Sequence, residues 1–186
     1  ICGSDLHYFH HHRIGDFPVR ELFVLGHEGA GTVAETGPGV TRLAVGDRVA
    51  INPSHPCGAC DYCRSDRENL CADMVFLGSS RRFPHAQGIF AETFATHERQ
   101  CVKVVPGTPS RVAALAEPLS VVLHALSHAC PLLGRRVLVT GAGPIGALSL
   151  VAARHAGAAA VEITDVTPEP LKAAEALGAD RTHNVA

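Results

Sequence analysis

The sequence carries little net charge, few aromatic side chains and no long apolar run. Its 16 Lys and Arg against 18 Asp and Glu leave a net charge of −2, and aromatic residues make up 5% with no tryptophan. A nucleic-acid surface needs clustered basic residues, and a membrane span needs about 20 consecutive apolar residues. We therefore expect neither a nucleic acid nor a membrane as a partner.

The amino end of the sequence lacks the marks of a secretory signal. The stretch ICGSDLHYF has neither a basic start nor a continuous apolar segment. We therefore expect the protein in the cytoplasm, where thiols stay reduced. The chain has 186 residues, 46% of them hydrophobic, which is enough for one large core or two small ones.

The character of the sequence changes once along the chain. Up to about Val105, Gly and Pro interrupt short runs of strand type, namely AGTVAETG, RVAIN, FAETFAT and QCVKVV. Later, RRVLVTGAGPIG and the residues after it predict a strand, a glycine turn, a helix, a second strand and a second helix, which is a βαβ unit. We predict mixed α and β structure in two domains, 1–120 and 121–186, with the boundary in a helix between Leu115 and Leu133.

The glycine turn GAGPIG fits the pattern of a dinucleotide-binding turn. Gly141 would permit the tight turn, Gly143 the approach of a pyrophosphate, and Gly146 the close packing of helix on strand. Asp165 ends the next strand, where a carboxylate can accept the ribose hydroxyls and disfavour a 2′-phosphate; Glu162 lies earlier in that strand. The alternative is a glycine turn that binds no nucleotide. The pattern predicts NAD, with NADP left open, at the following residues: Gly141, Gly143, Pro144, Ile145, Gly146 and Asp165.

Four of the seven cysteines lie in PCGACDYCRSDRENLC. Cys57, Cys60, Cys63 and Cys71 have the spacing of a zinc site, and four thiolates around one ion leave no position for substrate. A disulfide framework conflicts with a reducing compartment, a redox pair is expected beside a βαβ unit, and an iron–sulfur cluster usually takes ligands from more separated loops. The pattern predicts a structural zinc ion.

The three other cysteines differ in their surroundings. Cys101 and Cys130 stand alone among apolar residues and are predicted to be buried packing residues. Cys2 precedes several polar residues, and His27 lies between glycines in LGHEGAG. Cys2, His27 and a carboxylate can form an open zinc site whose fourth position takes water or substrate. Taken alone, a histidine such as His27 is more often an ordinary polar residue with satisfied hydrogen bonds than a metal ligand.

Six motifs in order carry a resemblance: CGSDLH, GHEGAG, GDRVAINP, the four-cysteine loop, AEPLSVVLHA and GAGPIG. The chain resembles the zinc-dependent medium-chain alcohol and polyol dehydrogenases over nearly its whole length. The resemblance implies a GroES-like, β-rich catalytic domain over 1–120, followed by the first part of a Rossmann domain over 121–186. It also implies hydride transfer between an alcohol and NAD or NADP, homodimers or homotetramers, and two zinc ions per chain.

The resemblance also implies roles for individual residues. Cys2 and His27 would hold the catalytic zinc, with Glu28 or Glu117 as the carboxylate ligand. Asp5 would accept a hydrogen bond from the His27 ring. Ser4 and His7 would carry the alcohol proton to solvent.

Three stretches, INPSHPCGACDYC, NLCADMVFLGSS and FPHAQGIFAETF, are most similar to the branch of the family that interconverts L-idonate and 5-dehydro-D-gluconate. Sorbitol, xylitol and L-threonine dehydrogenation are the alternatives within the family. The carboxylate of a sugar acid requires a cation, for which Arg81 or Arg82 is a candidate, the alternative being a solvated surface arginine. Outside the family, a zinc-knuckle module or a non-catalytic protein that binds zinc and nucleotide remains open.

Intact members of the family carry strands before the position of Ile1 and further nucleotide-domain elements after that of Ala186. We therefore expect these 186 residues to be part of a longer protein, with poor turnover by themselves.

Overall fold

The computed structural model describes residues 1–186 as two compact units, Ile1–Glu117 and Pro118–Ala186. Both units contain helices and strands, which confirms the predicted mixed fold class. None of the helices has the length and apolar character that crossing a membrane requires.

The first unit combines short strands with short helices, together with 3-10 turns at Glu68–Leu70 and Glu98–Gln100. Its elements in chain order are α1 (Gly3–His11), β1 (Arg13–Ile14), β2 (Phe17–Pro18), β3 (Ala30–Thr32), β4 (Arg48–Ile51), β5 (Ser54–His55), α2 (Asp61–Arg64), β6 (Val75–Phe76), β7 (Cys101–Lys103) and α3 (Ser110–Ala113).

A three-stranded antiparallel sheet, ordered β3, β4 and β7, forms the centre of the first unit. Its middle strand carries Val49 and Ile51, which are buried together with Ile89. Partly buried apolar residues pack around these three, Cys101 among them. β-branched side chains on a central strand favour this extended, buried arrangement.

Two expectations from the sequence pattern are wrong in this structure. Residues 90–96, which contain the FAETFAT run, form no strand. The backbone there pairs only at its start, where Phe90 donates a hydrogen bond to the carbonyl of Leu25. Cys130 is exposed rather than buried, because it follows the end of a helix and takes no part in a core.

The second unit contains a parallel sheet with helical crossovers. Its elements are α4 (Ala116–Ser127, beginning two residues before the boundary), β8 (Arg136–Thr140), α5 (Pro144–His155), β9 (Ala160–Asp165), α6 (Pro168–Ala176) and β10 (Arg181–Asn184). The strands lie in the order β10, β9, β8, all parallel. The predicted order of strand, glycine turn, helix, strand and helix is confirmed.

The core of the second unit lies between this sheet and its helices. Val161 and Ile163 of β9 and Leu150 of α5 are fully buried, and small residues such as Ala153 and Ala174 let the helices approach the sheet. Apolar and polar residues alternate along β9, and only Val161 and Ile163 of this strand are fully buried.

Candidate metal centres and nucleotide site

Cys2, His27 and Glu28 converge on one point of the first unit. The thiol sulfur, a ring nitrogen and a carboxylate oxygen of these residues all lie within 4.8 Å of one another. Thiolate, imidazole and carboxylate are the three ligand types that proteins offer to zinc, and three ligands leave a fourth position open. The donor set therefore fits a zinc ion with room for a substrate oxygen.

A buried carboxylate, Asp5, joins the two segments that carry these ligands. One oxygen of Asp5 accepts a hydrogen bond from the backbone N–H of Cys2 at 2.8 Å, and the other accepts from the N–H of Gly26 at 3.0 Å. Asp5 is 3% exposed, so these bonds are shielded from water. One side chain thus fixes the backbone at Cys2 and the backbone just before His27.

The predicted hydrogen bond from the His27 ring to Asp5 is not formed in this arrangement. Nδ1 of His27 lies 3.7 Å from Asp5, beyond hydrogen-bond range, and this buried nitrogen has no hydrogen-bond partner. The ring packs on Phe76 with 5.4 Å between centroids. A buried imidazole without a partner fits a ring that needs a small shift, or a bound ion, to complete its bonding.

Glu117 lies within electrostatic range of the same site. Burial raises the pKa of the Glu117 carboxyl, the charge of His27 opposes this rise, and Glu28 adds to it. A carboxyl that is costly to ionise gains from a nearby cation. Glu28, however, is the carboxylate that belongs to the set within 4.8 Å, so Glu117 stays a predicted alternative ligand.

Ser4 and His7 both lie on α1, which begins directly after Cys2. They are three residues apart, so they share one face of the helix. Ser4 is partly buried and His7 is exposed, with the His7 ring 5.6 Å from that of His11. Their order from inside to outside is compatible with the predicted proton relay, which remains a prediction.

Cys57, Cys60, Cys63 and Cys71 form a second, separate centre, with all four sulfurs within 4.8 Å of one another. Sulfur–sulfur distances of 3.9, 3.5 and 4.0 Å join Cys57 to Cys63, Cys60 to Cys63 and Cys60 to Cys71. A tetrahedral zinc ion with Zn–S bonds of about 2.3 Å separates its sulfurs by about 3.8 Å. The four thiols therefore already have the dimensions of a zinc site.

Backbone N–H groups around this centre favour thiolates. Ala59 and Cys60 donate hydrogen bonds to the sulfur of Cys57 at 3.4 and 3.3 Å, and these bonds lower the pKa of Cys57. Backbone hydrogen bonds from Cys63 and Ala72 lower the pKa of Cys60 to about 6. Desolvation, and next the hydrogen bond with the Cys60 sulfur, raises the pKa of Cys63 to about 12, so a cation is needed before all four sulfurs can ionise.

The glycine turn of the second unit connects β8 to α5. Gly141 has φ +89, a left-handed conformation that favours glycine. A Cβ on Gly146 would lie 1.9 Å from the carbonyl oxygen of Gly141, whereas a Cβ on Gly143 would meet nothing within 4 Å. The space beside Gly143, at the start of α5, fits a pyrophosphate that approaches the backbone.

Substitutions at Gly146 and Gly143 should therefore have different effects. Gly146→Ala forces a methyl group against the carbonyl oxygen of Gly141, so we expect about 3 kcal/mol less stability and weaker cofactor binding. Gly143→Ala should fold with stability within about 1 kcal/mol of the parent, yet bind NAD at least tenfold more weakly, because only the pyrophosphate space is filled. Thermal unfolding and NADH fluorescence titration measure the two effects. Equal stability loss in both variants would contradict this assignment.

Asp165 ends β9 beside the glycine turn. Its carboxylate accepts hydrogen bonds from the backbone N–H of Ala142 at 2.8 Å and of Thr167 at 2.9 Å, and these bonds lower its pKa. Glu162, by contrast, is paired with His183 and Arg136 on the neighbouring strands at 2.8 and 2.7 Å. Asp165 therefore stays the predicted ribose carboxylate, while Glu162 joins the three strands.

Arg81 and Arg82 line a shallow cavity together with Met74, Phe76, Ser79 and Ala86. Phe76 also packs on the His27 ring, so this one side chain adjoins both the cavity and the Cys2–His27–Glu28 set. Arg82 is paired with Asp73 at 3.0 Å, and its backbone carbonyl lies 2.7 Å from Nδ1 of the buried His85. Arg81 and Arg82 therefore line a cavity that also includes Phe76, the residue that packs on the His27 ring.

Sequence reasoning missed the glycine contacts that hold His27 in place. A Cβ on Gly78 would lie 2.6 Å from the carbonyl oxygen of Gly26, and one on Gly88 would lie 2.3 Å from that of Leu25. Gly88 and Ile89 also donate backbone hydrogen bonds to Val24 and Gly26. Glycines are common in loops, so their residue type alone did not reveal these contacts.

Comparison with known proteins gives three results. Residues 1–106 match the family model described as the alcohol dehydrogenase GroES-like domain. L-idonate 5-dehydrogenase (NAD(P)(+)) of Escherichia coli is 43% identical over 97% of this chain and 52% of its own length. Sorbitol dehydrogenase of Gallus gallus is also 43% identical, over 98% of this chain and 50% of its own length.

A solved structure agrees with these matches. The crystal structure of the Escherichia coli L-idonate 5-dehydrogenase superposes with a TM-score of 0.94 at 43% identity, covering 100% of this chain and 53% of that one. The chain thus spans about half the length of the curated relatives it matches.

Proposed function

Because the chain belongs to the zinc-dependent medium-chain dehydrogenases that carry an alcohol dehydrogenase GroES-like domain, we propose that the intact protein oxidises a secondary alcohol with NAD or NADP. The family inferred from the sequence motifs is confirmed by these matches. The observation that carries the activity is the convergence of Cys2, His27 and Glu28 within 4.8 Å. A purely structural protein has no use for an open zinc site of this kind.

Individual residues of the chain would have separate roles in such a reaction. A zinc ion held by Cys2, His27 and a glutamate would supply Lewis acidity, which lowers the pKa of an alcohol oxygen. Asp5 keeps the two ligand segments in register through the backbone. Ser4 would accept the alcohol proton and His7 would pass it to solvent. Gly141, Gly143, Gly146 and Asp165 would hold the dinucleotide whose nicotinamide ring takes the hydride.

We propose two zinc ions per intact chain, one at the open site and one in the four-cysteine site. A cytoplasmic location is proposed as well, because a zinc site of four thiolates requires reduced cysteines. A homodimer or homotetramer is proposed for the intact protein, after the pattern of its family.

For the substrate we propose L-idonate, interconverted with 5-dehydro-D-gluconate. Two observations support a sugar acid: the TM-score of 0.94 to the L-idonate enzyme and the two arginines beside Phe76. The equal 43% identity to a sorbitol dehydrogenase makes a neutral polyol the second candidate. NADH formation by the intact protein with L-idonate, sorbitol and L-threonine side by side tests the proposal, and a higher kcat/KM for sorbitol would overturn it.

The arginines allow a sharper test of the sugar-acid assignment. Arg81→Ala and Arg82→Ala should each raise KM for L-idonate about tenfold, since a charge-assisted hydrogen bond is worth roughly 1.5–3 kcal/mol. KM for sorbitol should stay unchanged, because a neutral polyol offers no carboxylate. Arg111→Ala, at an exposed position of α3 away from this cavity, is the matched control. Equal effects on both substrates would show that neither arginine reads the carboxylate.

A further inference from the structure

Two histidines, His124 in the last turn of α4 and His128 directly after its end, have their rings in contact. Their Nε2 atoms are 3.3 Å apart, and the ring centroids are separated by 4.7 Å at an interplanar angle of 89°. Residues four apart lie on the same helix face, one turn above the other. Both side chains are exposed among the described residues.

The distance between the two nitrogens matches the distance between two nitrogen ligands of one metal ion. Two imidazole nitrogens on a tetrahedral zinc ion lie about 3.3 Å apart, because each Zn–N bond is about 2.0 Å long. In the ion-free chain one ring can donate a hydrogen bond to the other across this gap. A cation between the rings would replace that bond.

The position on the helix adds a favourable electrostatic contribution. His124 lies in the last turn of α4 and His128 follows directly after its end at Ser127. The carbonyl end of a helix carries partial negative charge, which stabilises a cation nearby. The other i, i+4 pair, His7 and His11, has its rings 5.6 Å apart and lies at the end of α1.

We propose that His124 and His128 form a third metal site, which binds a divalent ion of the zinc class. No third cysteine, histidine or carboxylate joins the pair as it does at the two sites described above. Water therefore completes the coordination, and the site exchanges its ion more readily than sites with three or four protein ligands. The site is independent of the proposed dehydrogenase activity.

Calorimetric titration of the full-length protein with zinc chloride tests the site, after the zinc already bound has been measured. We expect one additional ion per chain in the parent. His124→Gln and His128→Gln should each weaken its binding at least tenfold, while His155→Gln, an exposed histidine at the end of α5, should leave it unchanged. Far-UV circular dichroism verifies that α4 persists in both variants.

Two results would overturn the site. One is a parent protein that takes up no additional ion. The other is uptake with parental affinity in both α4 variants, and loss of that uptake in His11→Gln would then assign the ion to α1.

Discussion

Replacing Cys2 with serine should lower kcat/KM of the intact protein about a thousandfold and remove one of the two proposed zinc ions. The thiolate is one of three converging ligands, and a serine hydroxyl does not replace it at neutral pH. Lewis-acid stabilisation is worth several kcal/mol, and each 1.36 kcal/mol is a factor of ten in rate. Steady-state kinetics and zinc analysis of the same preparation measure both effects.

The thermal midpoint of Cys2→Ser should stay within a few degrees of the parent. The change is nearly isosteric, and the backbone hydrogen bond from residue 2 to Asp5 remains. Cys130→Ser is the matched control, since this exposed cysteine belongs to neither metal set. Full activity with one zinc ion in Cys2→Ser would place the chemistry elsewhere.

Replacing Cys60 should produce the opposite pattern, a loss of stability at an unchanged active site. Cys60 is a member of the four-sulfur set, and its sulfur lies 3.5 and 4.0 Å from two of the others. Structural zinc binding contributes roughly 10–16 kcal/mol in small zinc-binding peptides. In the intact protein we expect Cys60→Ser to lose the zinc of this site and about 4 kcal/mol of stability, a fall of about 10 °C in the thermal midpoint.

Two measurements separate this effect from the general loss of a thiol. Cys101→Ser, at a partly buried position outside the four-sulfur set, should cost only about 1 kcal/mol and no zinc. Below its own unfolding temperature, Cys60→Ser should retain most of its kcat. An unchanged midpoint together with lost zinc would mean that the loop is held by its protein contacts alone.

The parts of these sites that the sequence predicted are the local ones. The spacing of four cysteines in one loop predicts a zinc site, and that of three glycines in one turn predicts a nucleotide-binding turn. Both predictions are possible because the groups that must meet are already close in the chain. The βαβ unit was equally readable, since its apolar periods are long.

The parts that were not predicted depend on contacts between distant segments. Asp5 was expected to bond the His27 ring, but its oxygens accept from the N–H groups of Cys2 and Gly26 instead. The FAETFAT run was expected to be a strand, yet its backbone finds a partner only at Phe90. The periodicity of a segment predicts its own secondary structure. It does not predict which distant backbone carbonyl or side chain that segment will bond.

The two glycine contacts at the His27 segment have a consequence for how substrate range can change. Gly78 and Gly88 both lie close to the backbone of Leu25 and Gly26. The segment between these two glycines therefore begins and ends at the same place. Arg81 and Arg82 lie within this segment, residues 79–87. Ser80 and His85 are buried there and bonded to other elements, whereas residues 81–84 are exposed and their side chains can be exchanged without breaking those bonds. Transplanting only residues 81–84 from a relative with another substrate is thus a compact route to new specificity that keeps the buried contacts of Ser80 and His85.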